Sequence, residues 1–99
     1  MALRLVVPIE AAPGKRDELI ESVRTRSTEV RKESGCEEFE LYQSTERPDQ
    51  LVLLERWTDE AALEAHLELN RQRGINMDSL RTRATPAERY ITQDTSQSA

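Results

Sequence analysis
The only histidine and the only tryptophan of this 99-residue chain lie close together, His66 shortly after Trp57, with the carboxylate of Glu55 two positions before the indole. Imidazole is the side chain that ordinarily titrates nearest neutrality, which makes His66 a candidate general base. Glu55 ends an apolar run, where a carboxylate must be paired or functional, and it is the candidate to orient the imidazole. Trp57 would wall a dry site in which an anion formed by proton removal persists. Tyr42 and Tyr90 can each donate a phenolic proton to such an anion, so both are candidate substrate contacts, and equally candidates for an interface. A purely structural reading stands beside this one. His66 would then hydrogen-bond Glu55 or a backbone carbonyl and lock a helix to a sheet, with Trp57 as core. In that reading Arg24, Arg31 or Arg89 is the expected partner of Glu55. Cys36 has neither a base nor a helix N-terminus beside it in sequence, which reads as a small buried residue.

The elements that must position these residues follow from periodicity. Leu3–Ile9 reads as a first strand, with Pro8 placing it at an edge or at a bend. Ala12-Pro-Gly14 is a turn, and Lys15–Ser34 reads as a long helix with Leu19, Ile20, Val23, Ser27 and Val30 on one face. That face is lean, which predicts space between helix and sheet. Gly35 is placed to end the helix. Cys36–Ser44 is a second strand, and the Pro48-containing turn makes the next strand, Leu51–Trp57, its hairpin partner. Thr58 or Asp59 caps a second helix, whose Leu63, His66, Leu67 and Asn70 share the inward stripe. Residues 75–83 predict a short helical turn with Met77 and Leu80 inward, and Glu88–Thr92 a last strand. The order is β-α-β-β-α-β, an α+β ferredoxin-like fold with a four-stranded antiparallel sheet.

Both faces of Leu51–Leu54 are apolar, yet one helical layer covers only one face of a sheet. Hydrophobic residues are 36% of the chain and aromatics 4%, a thin core for a small domain. Both observations predict a homodimer. A net charge of -5 argues against nucleic acid, which requires a basic surface. No apolar run reaches membrane-spanning length, Met1–Pro8 lacks the order of a signal peptide, and the lone Cys36 suits a reducing cytoplasm. With one Cys and one His, the usual zinc ligand sets are not expected, so no metal is assigned. One domain over residues 1–93 and a flexible tail, 94–99, complete the reading.

Pro13-Gly14 before a long helix, Glu33-Ser-Gly-Cys36 before a strand, and Glu55-x-Trp57 followed by Ala61-x-Leu63-x-x-His66-Leu67 resemble the antibiotic biosynthesis monooxygenase domain over roughly residues 3–92. The resemblance implies a dimeric α+β barrel in which two sheets face each other. It implies one of several activities: oxygenation of polyketide-type aromatics or quinols without metal or flavin, haem degradation, or isomerisation of a phosphorylated signal. Val7 stands where the haem-degrading branch carries Asn, and His66 falls early in its helix, which argues against haem. Leu53 and Leu63 stand where the polyketide branch tends to carry Asn and Tyr. The expectation is therefore a cofactor-independent monooxygenase acting on a small aromatic or quinol-like substrate, with His66 and Glu55 catalytic and Trp57, Tyr42 and Tyr90 contacting substrate. The alternatives are a non-enzymatic dimeric ligand-binding or stress-response module on the same fold, and a proton-transfer isomerase.

Overall fold
Period-two alternation is strictest in the strand over residues 50–57, and two interrupted apolar stripes make the helices. The computed structural model describes residues 1–93; the tail expected at 94–99 lies outside the described residues. The elements are β1 (Leu3–Glu10), α1 (Arg16–Val30), β2 (Cys36–Gln43), β3 (Gln50–Trp57), α2 (Glu60–Arg73) and β4 (Glu88–Ile91). The strands form one antiparallel sheet in the order β2-β3-β1-β4, giving the ferredoxin-like α+β fold.

β3 organises the core. Leu51, Leu53, Glu55 and Trp57 are buried, while Val52, Leu54 and Arg56 between them are half-buried. Register places Leu5 of β1 and Phe39 of β2 opposite Glu55, and Leu3 and Cys36 opposite Trp57. The helices close this face with Leu19, Val23 and Val30 from α1 and Leu63 from α2. Fully buried apolar side chains such as Leu19, Leu63 and Phe39 each contribute roughly 1.5–3 kcal/mol by leaving water.

β1 lies inside the sheet rather than at its edge, and the tolerance of Pro8 has a local cause. The carbonyls of Ala2 and Glu10 accept from Thr92 and Thr82, so even-numbered peptide groups of β1 point to the β4 side. β4 pairs only as far as Val6 opposite Glu88. Pro8 thus lacks its N–H where the sheet has already lost its neighbour. Residues 75–83 form turns, with the Leu80 amide donating to Met77 and a bridge from Ala11 to Arg81, rather than a helix. Leu80 is buried and Met77 packs on the core as expected.

α1 stops at Val30, earlier than periodicity predicts. Its last turn carries no basic residue, and the chain tightens, with Lys32 donating to Glu29 and Glu33 to Val30. The early stop frees Glu33 to turn inward. Ser27 occupies the lean point of the helix, buried, its hydroxyl donating to the Val23 carbonyl at 2.7 Å. A recess of about 160 Å³ between α1 and β2, lined by Ile20, Ser27 and Leu41 among others, is what remains of the predicted space.

The opposite sheet face has no helix over it among the described residues. Val6, Pro8, Val52 and Leu54 lie there half-buried, with Arg4 paired to Glu38 and Arg56 to Glu37 at the Cys36 end of β2.

Gly35 joins α1 to the sheet at a point of contact with α2. Its φ is +83°, and a Cβ there would meet Ala62 Cβ at 2.4 Å and Thr58 Oγ1 at 2.8 Å. Gly74, the left-handed C-cap of α2, has φ +65° with open space around it. We predict that Gly35→Ala lowers stability by about 2–4 kcal/mol, summing the left-handed backbone cost and overpacking. Gly74→Ala should cost only about 1 kcal/mol by the first effect alone. Urea unfolding of the two variants checks the difference.

Candidate functional site
Glu55 and Trp57 share one face of β3, so the indole reaches back along its own strand. Trp57 Nε1 donates to Glu55 Oε1 at 3.0 Å, and both side chains are buried. His66 arrives from α2, which starts at Asp59, whose carboxylate accepts from the Ala62 amide at 2.9 Å. The imidazole lies 4.5 Å from the Trp57 ring at an interplanar angle of 32°, with the Phe39 ring edge-on at 5.8 Å. His66 is 1% exposed, so its polar atoms must find partners inside the protein.

They find two. His66 Nδ1 lies 2.8 Å from Glu33 Oε1, and Nε2 lies 3.2 Å from the Asn70 side-chain nitrogen. A carboxylate only accepts, so Nδ1 carries the proton and donates to Glu33, and Nε2 accepts from the Asn70 amide. Asn70 Oδ1 is buried without a partner among the described residues. If the amide turned over, Oδ1 would accept from a protonated Nε2. Glu33 is held from its other oxygen, where Arg73 donates at 3.1 Å. Glu55 Oε1 stands 3.8 Å from Nε2, beyond hydrogen-bond range. The carboxylate that orients the ring is therefore Glu33, and Glu55 lies near the Nε2 edge that Asn70 already occupies.

Burial pushes the Glu55 carboxyl above its ordinary range, opposed by the Trp57 hydrogen bond and by the charges of His66 and Arg26. None of the three arginines expected to pair with Glu55 does so. Arg24 binds Glu21, Arg31 binds Glu40 and the Phe39 carbonyl, and Arg89 faces Glu60 and Glu64. The nearby cation is Arg26, three residues after the buried Val23 and so close to the inward stripe of α1. Its guanidinium carbon lies over the Phe39 ring, 5.7 Å from the centroid. Burial also lowers the Arg26 pKa, while Glu55 and Glu33 raise it. The Cys36 thiol is raised by burial and then by Glu33 and Glu55, so it stays protonated and is no nucleophile at neutral pH.

His66, Glu55 and Trp57 thus meet as the spacing predicts. Tyr42 and Tyr90 do not join them. Both are exposed on the other sheet face, Tyr42 beside Glu38 and Tyr90 bonded to Glu88. Asn70, four residues after His66, was legible as a helix-face neighbour. Glu33, Arg26 and Arg73 carried no comparable signal, because each reaches the cluster through tertiary packing. Beside the cluster a cleft of about 890 Å³ opens between α1 and the chain from Arg73 to Met77, with Arg26 and Arg73 among its walls. Among the described residues, no group of His, Cys, Asp or Glu side chains is arranged to hold a metal ion, and no helix is long and apolar enough to cross a membrane.

This architecture has known counterparts. A crystal structure of a conserved protein from Methanosarcina mazei Go1 superimposes with a TM-score of 0.85 at 27% identity, covering 94% of each chain. PA3566 from Pseudomonas aeruginosa does so with a TM-score of 0.79 at 28% identity, covering 94% of this chain and 95% of its own. In sequence, 60 residues are 32% identical to the Bacillus subtilis (strain 168) protein named Putative monooxygenase YcnE, spanning 61% of this chain and 63% of that one. Residues 2–75 match the family model described as antibiotic biosynthesis monooxygenase. That span carries Glu33, Phe39, Glu55, Trp57, His66, Asn70 and Arg73, the residues of the buried cluster. By fold, by span and by sequence, the chain belongs to the antibiotic biosynthesis monooxygenase family.

Proposed function
We propose that the chain is a cofactor-independent monooxygenase of the antibiotic biosynthesis type, acting on a small aromatic or quinol-like substrate as a cytoplasmic homodimer. The observation that carries this reading is the buried imidazole whose Nδ1 is fixed by Glu33 while Nε2 turns its lone pair toward Asn70 and Glu55. A carboxylate on the far nitrogen makes the near one a better base and holds it in one orientation. Substrate displacing the Asn70 amide would meet that lone pair in a site walled by Trp57 and Phe39.

The chemistry asks for a base, a place for an anion and exclusion of water. His66 Nε2 removes a proton from an activated CH₂ or hydroxyl, leaving an electron-rich carbanion or phenolate. That anion gives one electron to dioxygen, and the radical pair combines to a peroxide. Proton return from the imidazolium and loss of water then convert CH₂ and O₂ into C=O and H₂O. The Glu55 carboxyl, raised by burial and 3.8 Å from Nε2, is placed to relay that returning proton from the imidazolium to the peroxide.

Support for the homodimer comes from the outer sheet face, where half-buried Val6, Pro8, Val52 and Leu54 have no helix over them among the described residues and exposed Tyr42 and Tyr90 lie beside them. A second copy placing the same face against it would bury this strip and could bring the tyrosines to a shared cavity. The non-enzymatic module remains the second reading, favoured by one fact: both ring nitrogens of His66 already have partners and the ring is 1% exposed.

Oxygen-electrode assays with hydroquinone and anthrone should register uptake that His66→Ala reduces by about 10²–10⁴-fold, the ordinary worth of a general base. No uptake from the unsubstituted protein, with His66→Ala altering only its melting, would establish the binding module instead. Turnover without oxygen would identify the isomerase. Glu55 gives a separate check through stability. Its carboxyl is raised in the folded state, so the folded chain binds more protons than the unfolded one, and stability falls as pH rises from the ordinary carboxylate range through the raised value. Glu55→Gln keeps an acceptor for Trp57 and should abolish that fall, becoming the more stable form at neutral and higher pH in urea titrations. For the interface, light scattering should give twice the chain mass, and Leu54→Lys on the outer face should halve it.

A further inference from the structure
The cleft between α1 and Arg73–Met77 has a charge arrangement that neither the fold nor the buried cluster explains. Its volume of about 890 Å³ suits a small molecule rather than a few waters. Val23 and, across from it, Ile75 and Met77 supply apolar walls. The acidic residues of the cleft are turned to bases of their own helix surface: Glu21 to Arg24 at 2.9 Å, and Glu18 and Glu29 to Lys15 and Lys32 at 3.9 Å each. Arg73 is engaged by Glu33. Arg26 is the exception. Its Nε is buried with no hydrogen-bond partner among the described residues, and Glu55 and Glu33 act on it only through their field. A buried N–H without an acceptor is costly, and the half-buried Arg26 keeps its charge. Its central carbon lies over the Phe39 ring, 5.7 Å from the centroid, a cation–π contact that holds the charge at the cleft wall.

We infer that this cleft binds a small molecule with an apolar body and one anionic oxygen group, a carboxylate or an ionised phenol, which accepts from the Arg26 guanidinium. The inference deepens the proposed function, on which it rests for calling that molecule a substrate. It narrows the substrate class to acidic arenes and makes Arg26 a specificity-determining residue. Arg26 also touches the field of Glu55, so an anion seated there lies next to the buried cluster. Neutral quinols of the same size would lack the one interaction that fixes orientation.

Met77 offers a direct reporter, since Met1 is the only other methionine. With ¹³C-methyl-methionine protein, 2-naphthoate should shift the Met77 signal and leave Met1 unmoved, whereas uncharged 2-naphthamide should bind at least about tenfold more weakly, the worth of one charge-assisted hydrogen bond. Arg26→Met should remove that discrimination and Arg26→Lys should keep part of it. Thr25→Trp, an exposed cleft position clear of the core, should block the cleft and abolish the shift, and it decides the matter if Arg26→Met does not fold. Equal binding of acid and amide, no response of Met77, or unchanged binding in Arg26→Met or Thr25→Trp would each overturn the inference. Naphthoate binding through Arg26 without oxygen uptake from hydroquinone, anthrone or a carboxylated hydroquinone would sink the oxygenase reading alone. Oxygen uptake with unchanged KM in Arg26→Met would sink the inference alone.

Discussion
A carboxylate and an imidazole buried beneath two aromatic rings are the constraint around which the rest of this fold is arranged. Glu55 and His66 are both nearly inaccessible, and each would cost several kcal/mol if left without partners. The Trp57 indole answers Glu55, and Glu33 and Asn70 answer His66. Every partner depends on a different element being in register. β3 must alternate without a bulge between Glu55 and Trp57, α2 must start at Asp59 so that His66 and Asn70 face inward, and α1 must end early enough to deliver Glu33. The polar cluster therefore checks the packing of three elements at once, in a way that Leu-on-Leu contacts do not.

Gly35 is where these demands meet in the backbone. The close approach of Ala62 leaves no room for a side chain there, and the same bend carries the chain from Glu33 to Cys36. The Thr58 amide donates to the Gly35 carbonyl, which ties the start of α2 to the bend. A single residue thus fixes the distance between the Glu33 carboxylate and the helix bearing His66. The geometry at Nδ1 is a property of that corner as much as of the two side chains.

Much of this was legible in the sequence because it is local. Period-two alternation located β3 and its buried face, the i, i+3, i+4 spacing put His66 inward, and Asp59 with Gly74 bounded α2. The meeting of His66, Trp57 and Glu55 followed from those elements alone. What failed to show was tertiary. Arg24, Arg31 and Arg89 had the right charge for Glu55 but the wrong helical phase or the wrong strand, and they satisfy surface carboxylates instead. Glu33 read as part of a helix that in fact ends at Val30, so its role depended on a boundary, the least determined feature of any periodic segment. Tyr42 and Tyr90 were chosen for their chemistry, and alternation alone would have placed Tyr42 on the face away from Leu41 and Phe39.

The two carboxylates of the cluster divide its electrostatics unequally, and that division matters for any chemistry it performs. Glu33 is tied to Arg73 at the protein surface, so its charge is matched and partly wet. Among the described residues Glu55 has one hydrogen-bond donor, the indole, with His66 and Arg26 acting on it through their fields, and burial pushes its carboxyl toward the neutral form. A charged Glu33 on one side of the imidazole and a readily protonated Glu55 on the other make the ring a junction between a fixed anion and a movable proton. An anion arriving at Arg26 would withdraw that guanidinium's support from Glu55 and push the carboxyl further toward its neutral form. Occupancy of the cleft and protonation of the cluster would in this way be linked through Arg26.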